Sequence, residues 1–486
     1  MKAWFIGLFV GLSLLLPNSP AAQLTGRITY TPGPTPFISF ARVKVSDIST
    51  LRYVQYEIAP KTGSATRPIN VRYSRQYLQK RGYLRSNSTA ITVPIFGLYA
   101  GRSNNVTVTL TFRDGSSQQS SIAIVTASYD GGTYSTPSVI QARLPGTTLS
   151  YDFILLESYA DPTTPIIIDT DAEIRWIGTA GIGSQPSADF ENAFYITAGN
   201  SLVREDFDGK YTTLADYSSI GVIGFHHNID PGKTGVILDV DTSAWTECVN
   251  IEVDTAGNVL KTWNLADIIS AAMIAGGDDP SQFVHPAPID WFHNNATAYR
   301  ASDNTLIVSS RENFVMGIDY DTSAIKWILG DPTKHWHDFA SLRAYALTLG
   351  ADTLPPIGQH AVSVPNDKLL LFDDGTGSSY QQPPGETRTY SAPRKYDINL
   401  TTFTATEIYH YLANPSIYSP YCSSVYEDAP DNYLIDYTLG GPYVFTGIVG
   451  LDATGAKAFD YRYSELDFCG TAWNASIIHW ENLHLN

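Results

Sequence analysis

From Ser150 onward the chain repeats one short theme: an apolar run, a tight turn, and a second run ending in an acidic or glycine-rich turn. YDFILLES is followed by PIIIDTDAEIRWIG, NAFYITAG by SLVREDFDG, and GVILDVDT by NIEVDTAGNVLKTW. TLIVSSRENFVMGIDYDTSAIKWILG holds both runs of the next copy; KLLLFDDG with RKYDINLTTFTATEIYHY, and NYLIDYT with GIVGLDATGAKAFDYRY, bring the count to about six copies. Short apolar runs bounded by turn residues read as strands. A unit of this kind cannot bury its apolar face alone, so successive copies must pack on one another, and copies of roughly 45–65 residues have the scale of propeller blades. The last run, WNASIIHW, is expected to complete a blade and close the ring.

The preceding segment has another texture. Between Leu24 and about Gln141, runs such as NVTVTLTF alternate apolar residues with Thr and stop at turn residues, here Arg113, Asp114 and Gly115. That alternation marks half-buried strands, and Asp-Gly marks a hairpin. The expected fold is therefore all-β: a small N-terminal β-sandwich over 23–145, then a six-bladed β-propeller over 146–486. Two insertions, LADIISAAM and DPTKHWHDFASLRAYALTL, are expected to form short helices or loops on the ring's face.

Residues 1–22 carry Lys2, an apolar stretch from Ala3 to Leu16, and small residues at Ser19 and Ala21, the pattern of a cleaved signal peptide. The stretch is short of the ~20 residues a span needs and is followed by Pro17 and Pro20, so no membrane span is expected and the protein is expected to be periplasmic or secreted. A net charge of −17 argues against nucleic acid, whose phosphates need Lys and Arg. Three cysteines are too few for a disulfide scaffold and are not spaced for zinc. In an oxidising compartment Cys422 and Cys469 are candidates for pairing, with Cys248 left as a buried filler. Nothing in the residues decides between a monomer and a homo-oligomer.

Within the repeats, His227, His293 and His360 fall 66 and 67 residues apart. Each is expected several residues ahead of a strand, near the innermost part of its blade, so that the three imidazoles meet at the ring's axis. Arg311 follows His293 in the same unit, and Asn295 shares its side of an extended strand. The named side chains bring no carboxylate of their own, so the cluster is expected to be neutral or electropositive and to suit an anion with several oxygens, such as a sulfate or phosphate ester. A neutral imidazole can serve there as nucleophile, acid or base. Neither a GxxxxGK[ST] loop nor a GxGxxG turn is present, which removes the usual nucleotide cofactors, and no cofactor is expected.

Two rival readings stand beside this one. Three imidazoles form a known catalytic zinc set, which would make a metal-dependent hydrolase, although Arg311 beside a dication is unfavourable. A propeller can also be a non-catalytic binding scaffold, since fold does not fix function. Asp373 and Asp374 are either acceptors that orient His360 or simple turn acids. Trp291 and Phe292 read as blade core in preference to an aryl pocket, and the remaining histidines read as surface or structural residues.

The strings FHHNI, DWFHNNA, TLIVSSREN, IKWILGDP, IGQHAV, LLLFDDG and CSSVYE occur in this order, and together they resemble the bacterial arylsulfate sulfotransferases, or arylsulfotransferases. The resemblance runs from about Tyr151 to Asn486, and GLYAGRSNNVTV looks like that family's sandwich-to-propeller region. It implies a six-bladed propeller that moves a sulfuryl group from a phenolic sulfate ester to a phenol acceptor by a ping-pong route, without a nucleotide sulfate donor. It implies His360, of the QH motif, as a nucleophile carrying a transient sulfohistidine. It further implies His293 and Asn295 from HxN, Arg311 from SSR and His227 from HH, with His226 the alternative to His227. A hydroxyl in the blade after the nucleophile falls on Ser424, with Ser423 equally placed. Where relatives carry an acidic or serine residue after the QH histidine, this chain has Ala361, which implies a differently oriented imidazole.

Overall fold

The computed structural model describes residues 23–486 except 86, 160–163, 184 and 467. The 1–22 segment read as a signal peptide lies outside the described residues. Among those described, no helix is long and apolar enough to cross a membrane.

The alternating N-terminal runs form two facing sheets. One orders Thr29–Pro32, Ile38–Lys44 and Ala90–Phe96; the other is built on Ile69–Ser74, Leu51–Ile58, Ser103–Phe112 and Ser117–Val125. Burial alternates along Ser103–Phe112 as its Val/Thr pattern requires, and Gly115, at φ +87°, turns it into the hairpin with Ser117–Val125. Ala41, Val43 and Val93 from one sheet and Val54, Val71 and Val108 from the other share one core and are fully buried. That core continues into the next domain through Trp176, Phe194, Phe207 and Trp480. Arg175 adds a polar tie there, donating to the carbonyl of Gly97 and to Asp169.

The repeats fold into six sheets whose innermost strands neighbour one another around a ring, antiparallel except for the short outer strand Thr348–Leu349. Blade 2 starts from inner strand Ser187–Phe190, blade 3 from Val222–Pro231, blade 4 from Asn294–Arg300, blade 5 from His360–Ser363 and blade 6 from Ser424–Glu427. Blade 1 is composite: Phe153–Glu157, Ile166–Asp169 and Ile174–Ile177 receive their inner strand, Asn474–Ile478, from the WNASIIHW run. That closes the ring as expected. Two short strands cross between the domains: Ser138–Gln141 becomes a fifth strand of blade 6, and Leu483–Leu485 lies parallel to Ile69–Ser74 in the sandwich. Both insertions hold short helices, Leu265–Gly276 and Ala340–Arg343, which pack on each other beside blades 3 and 4 through Ile269, Met273 and Leu342. The first is capped by Asn264 at its start and by left-handed Gly277 at its end.

Candidate active site

Three adjacent inner strands share one irregularity. Strand register slips between His226 and Ile229 in blade 3, between Asn294 and Ala296 in blade 4, and between His360 and Ser363 in blade 5. At or just before each slip one residue takes a left-handed backbone: His227 at φ 52°, His293 at 53° and Ala361 at 52°. Such conformations cost non-glycine residues about 1–3 kcal/mol each and gather where a bulge re-aims a side chain. The histidines therefore sit at or beside the bulges and not several residues ahead of their strands: His227 lies within its strand, His360 begins its own, and His293 comes one residue before Asn294–Arg300. In blade 5 the left-handed residue is Ala361, one place after the histidine, so His360 leaves its strand differently from the other two.

The bulges bring the rings together. Centroids are 4.8 Å apart for His227 and His293, 6.1 Å for His227 and His360, and 6.5 Å for His293 and His360. They line one cavity of about 390 Å³ together with Arg311, Glu247, Asp290 and His226. Above them stand two aromatic pairs, Tyr159 with Trp473 at 4.3 Å and Tyr421 with Phe468 at 5.2 Å between centroids. The Cys422–Cys469 disulfide, also in the wall, joins the loops that carry Tyr421 and Phe468. Cys248 is free and buried.

His360 is nearly inaccessible, and burial, followed by the neighbouring His227, His293 and Arg311, pushes its pKa well below the usual imidazole value. It is neutral at pH 7. Its Nδ1 lies 3.2 Å from the carbonyl oxygen of Gly358. A carbonyl only accepts, so Nδ1 carries the proton and Nε2 the lone pair. Asp374 Oδ2 lies 2.8 Å from the same Nδ1 but makes no hydrogen bond with it, and burial pushes this carboxyl well above its usual range. Asp373 instead braces the loop ahead of His360, accepting from the backbone N–H of Ile357 and from Arg388 and Arg394.

Arg311 is fixed from several sides. Its backbone N–H donates to the carbonyl of His293 at 3.1 Å, and its guanidinium lies 4.5 Å over the ring of Tyr421. Nη1 is held by Glu312 and by Ser379 Oγ. The buried Nε and Nη2 have no hydrogen-bond partner among the described residues. Beneath, the buried Lys334 donates to the carbonyls of Arg311 and Glu312 at 3.2 and 3.1 Å, and burial lowers its pKa to about 8.

The expectation of a cluster without carboxylates is corrected. Glu247, in the turn between blade 3 strands Val236–Thr242 and Val249–Val253, reaches His226 Nδ1, His227 Nε2 and His293 Nδ1, each at 2.9 Å. Asp290 also contacts His293 Nδ1, and Asp241 Oδ2 lies 2.6 Å from His226 Nε2. Burial disfavours charge on His293, but Glu247 and Asp290 outweigh it and raise its pKa to about 10. Burial is likewise outweighed at His226, raised to about 11 by Asp241 and Glu247. At His227 burial wins over Glu247 and the pKa falls. Burial would raise Glu247 itself, but the surrounding imidazoles hold it well below the carboxylate range. Two charged imidazoles thus flank two neutral ones.

His227, His293, His360 and Arg311 share the cavity, and His226 lines it beside His227. Asn295 and Ser424 do not. The amide nitrogen of Asn295 donates to the carbonyl of Gln359 at 2.8 Å, tying blade 4 to the residue before His360. Ser424 Oγ accepts from the N–H of Ala475 at 3.0 Å, joining the inner strands of blades 6 and 1, and Ser423 bonds Ser419. Trp291 and Phe292 belong to the core. The nitrogens of His227, His293 and His360 lie within 4.8 Å of one another, close enough to share a metal ion, with Arg311 opposing it.

Residues 141–449 match the family described as "Arylsulfotransferase (ASST)", and residues 45–127 match the "Arylsulfotransferase Ig-like domain". The arylsulfate sulfotransferase AssT of Escherichia coli O6:H1 is 24% identical over 298 residues, 56% of this chain and 47% of that protein. AssT of Lelliottia amnigena is 24% identical over 300 residues, 56% of this chain and 43% of that protein. The match thus spans less than half the length of either relative.

Proposed function

The chain belongs to the arylsulfotransferase family, and from that premise we propose that it moves a sulfuryl group from a phenolic sulfate ester to a phenol through a sulfohistidine on His360, with no nucleotide sulfate donor. The observation that carries this reading is the meeting of a neutral nucleophile with unclaimed donors: Nε2 of His360 holds a lone pair, while Nε and Nη2 of Arg311 have no partner among the described residues. The guanidinium is held by Glu312, Ser379 and the ring of Tyr421, contacts that do not need substrate, as preorganised stabilisation of developing charge requires.

In the first half-reaction Nε2 of His360 attacks sulfur in line with the departing aryl oxygen. The N–S bond forms as the S–O bond breaks, and the electron pair leaves on oxygen. Arg311 donates to the sulfuryl oxygens, whose geometry suits its planar fork. His293, its Nδ1 taken by Glu247 and Asp290, gives the leaving oxygen the proton on Nε2. Its pKa of about 10 is close to the ~10 of a phenol, so the proton is shared between well-matched partners. In the second half the acceptor phenol takes the same place, returns its proton to His293 and attacks sulfur, and the pair of the broken N–S bond returns to His360. The two aromatic pairs at the mouth would hold donor and acceptor rings in turn.

The test is direct. With a nitrophenyl sulfate, nitrophenol release should accelerate when a phenol is added, and His360→Ala should abolish it. Protein quenched with donor alone should carry one sulfuryl group on the His360 peptide. Label elsewhere, or no turnover with any phenol, would sink the reading.

The clustered imidazole nitrogens favour one rival, a metal-dependent hydrolase. Activity that survives chelation with no metal bound ends that rival; activity restored only by a divalent ion would replace the present reading. We also propose a periplasmic or secreted location, which the disulfide supports because such bonds persist in oxidising compartments.

A further inference from the structure

We infer that Glu247 is a positioning residue of the transfer: one buried carboxylate, strung between blades 3 and 4, fixes the tautomers of His227 and His293 and so reserves Nε2 of His293 for the travelling proton. The inference rests on the sulfuryl-transfer reading above.

Glu247 belongs to none of the repeated histidine motifs, yet its placement is over-determined. Its backbone is left-handed, at φ 44°. Its N–H donates to Asp241 Oδ1 at 2.8 Å, and its carbonyl accepts from the N–H of Asn294, the residue after His293, at 2.9 Å. Main chain and side chain therefore tie this turn to the bulge of the next blade.

A carboxylate can only accept, so each nitrogen facing Glu247 must bear hydrogen. Neutral His227 then has hydrogen on Nε2 and its lone pair on Nδ1. His293 keeps hydrogen on Nδ1 in both charge states, and only Nε2 gains or loses one. The groups facing this arrangement are His226 and Asp241 from blade 3, Asp290 and Arg311 from the blade 4 segments, His360 from blade 5, and Asp239 beside Glu247. Asp290 alone would leave His227 free to turn over to the other tautomer. It would also leave the charge on His293 with half its present compensation, next to a site that receives an anion.

When the aryl oxygen leaves, it takes the Nε2 proton of His293, while the Nδ1 hydrogen stays on Glu247 and Asp290. Help of this kind matters most for a leaving group that is a strong base. A dinitrophenolate leaves well without a proton; an unsubstituted phenolate, of pKa ~10, does not.

The experiment compares Glu247→Gln with wild type on dinitrophenyl sulfate and phenyl sulfate, reading the single-turnover rate of aryl oxygen release without acceptor, which reports the first half-reaction alone, and the His360 label. The amide occupies the same space but is uncharged and has one accepting oxygen where the carboxylate has two, so it cannot hold all three imidazoles as Glu247 does and cannot offset the charge on His293. We expect the single-turnover rate on phenyl sulfate to fall about 100-fold, the lower end of general-acid effects, with that on dinitrophenyl sulfate little changed and His360 still labelled by it. In a His293→Ala background the same substitution should add no further leaving-group sensitivity. Equal loss on both donors, or no loss on either, would overturn the inference while leaving the transfer reading standing. Absence of label in wild type would overturn both. If Glu247→Gln does not fold, nitrogen NMR of wild-type histidines decides: His227 with its hydrogen on Nδ1 would refute the arrangement.

Discussion

Nδ1 of His360 donates to the carbonyl oxygen of Gly358, two residues earlier in the same chain, at 3.2 Å. That contact selects the ring's reactive nitrogen, because it leaves Nε2 unprotonated. Protein quenched with donor should therefore carry sulfuryl on Nε2, distinguishable from the Nδ1 isomer by NMR of the isolated peptide. An Nδ1 adduct would mean that the ring turns before it reacts.

Arg311 presents a planar fork whose Nη1 is already claimed by Glu312 and Ser379. A lysine there has one nitrogen for both duties. Arg311→Lys should lower kcat/KM by about 100-fold, the cost of losing one preorganised oxyanion donor, and Arg311→Met by more. Steady-state kinetics at fixed acceptor concentration measure this; equal activity of the lysine variant would show that charge alone suffices.

The pH dependence should be broad and asymmetric in origin. His360, its pKa depressed mainly by burial, remains neutral until the pH is well below 6.5. His293, raised to about 10, keeps its proton until alkaline pH. The kcat profile should thus be flat through neutrality and fall as pH rises through about 10. Stability follows the same signs. The contribution of charged His293 is fully present below about pH 6.5, its unfolded value, and is lost as pH rises through about 10. The contribution of neutral His360 is present above about pH 6.5 and is lost as pH falls towards its depressed value. Unfolding midpoints and rates across pH check both.

Ser424→Ala should be a stability variant and not a kinetic one. Removing Oγ leaves the buried N–H of Ala475 without its acceptor, a loss of about 1–3 kcal/mol. Denaturant melts should show that loss while KM for donor and acceptor stays put. A changed KM would put the hydroxyl in contact with substrate after all.

Much of the architecture is legible in the chain because its signals are local. The Val/Thr alternation of NVTVTLTF and the paired apolar runs after Ser150 state period and burial directly. The two strands that cross between the domains, Ser138–Gln141 and Leu483–Leu485, carry no such signal, because a strand's partner depends on packing far away in sequence. The site divides the same way. His227, His293 and His360 show themselves by pitch, since each lies at or next to a bulge in the inner strand of a repeated blade. Glu247 has no counterpart at that pitch; in WTECVN it is one acid in a turn, and its role exists only because that turn lies beside the next blade's histidine. Asn295 and Ser424 are of the right chemical type, but neighbouring backbone groups use the amide nitrogen of the one and the hydroxyl of the other.

Ring closure by Asn474–Ile478 has a consequence in time. A ribosome delivers His227, His293, Arg311 and His360 well before it delivers Cys469, Trp473 and the strand that seals blade 1 against blade 6. One wall of the cavity is thus supplied by residues at the far end of the chain, and it is complete only when the C-terminal inner strand has joined the first blade.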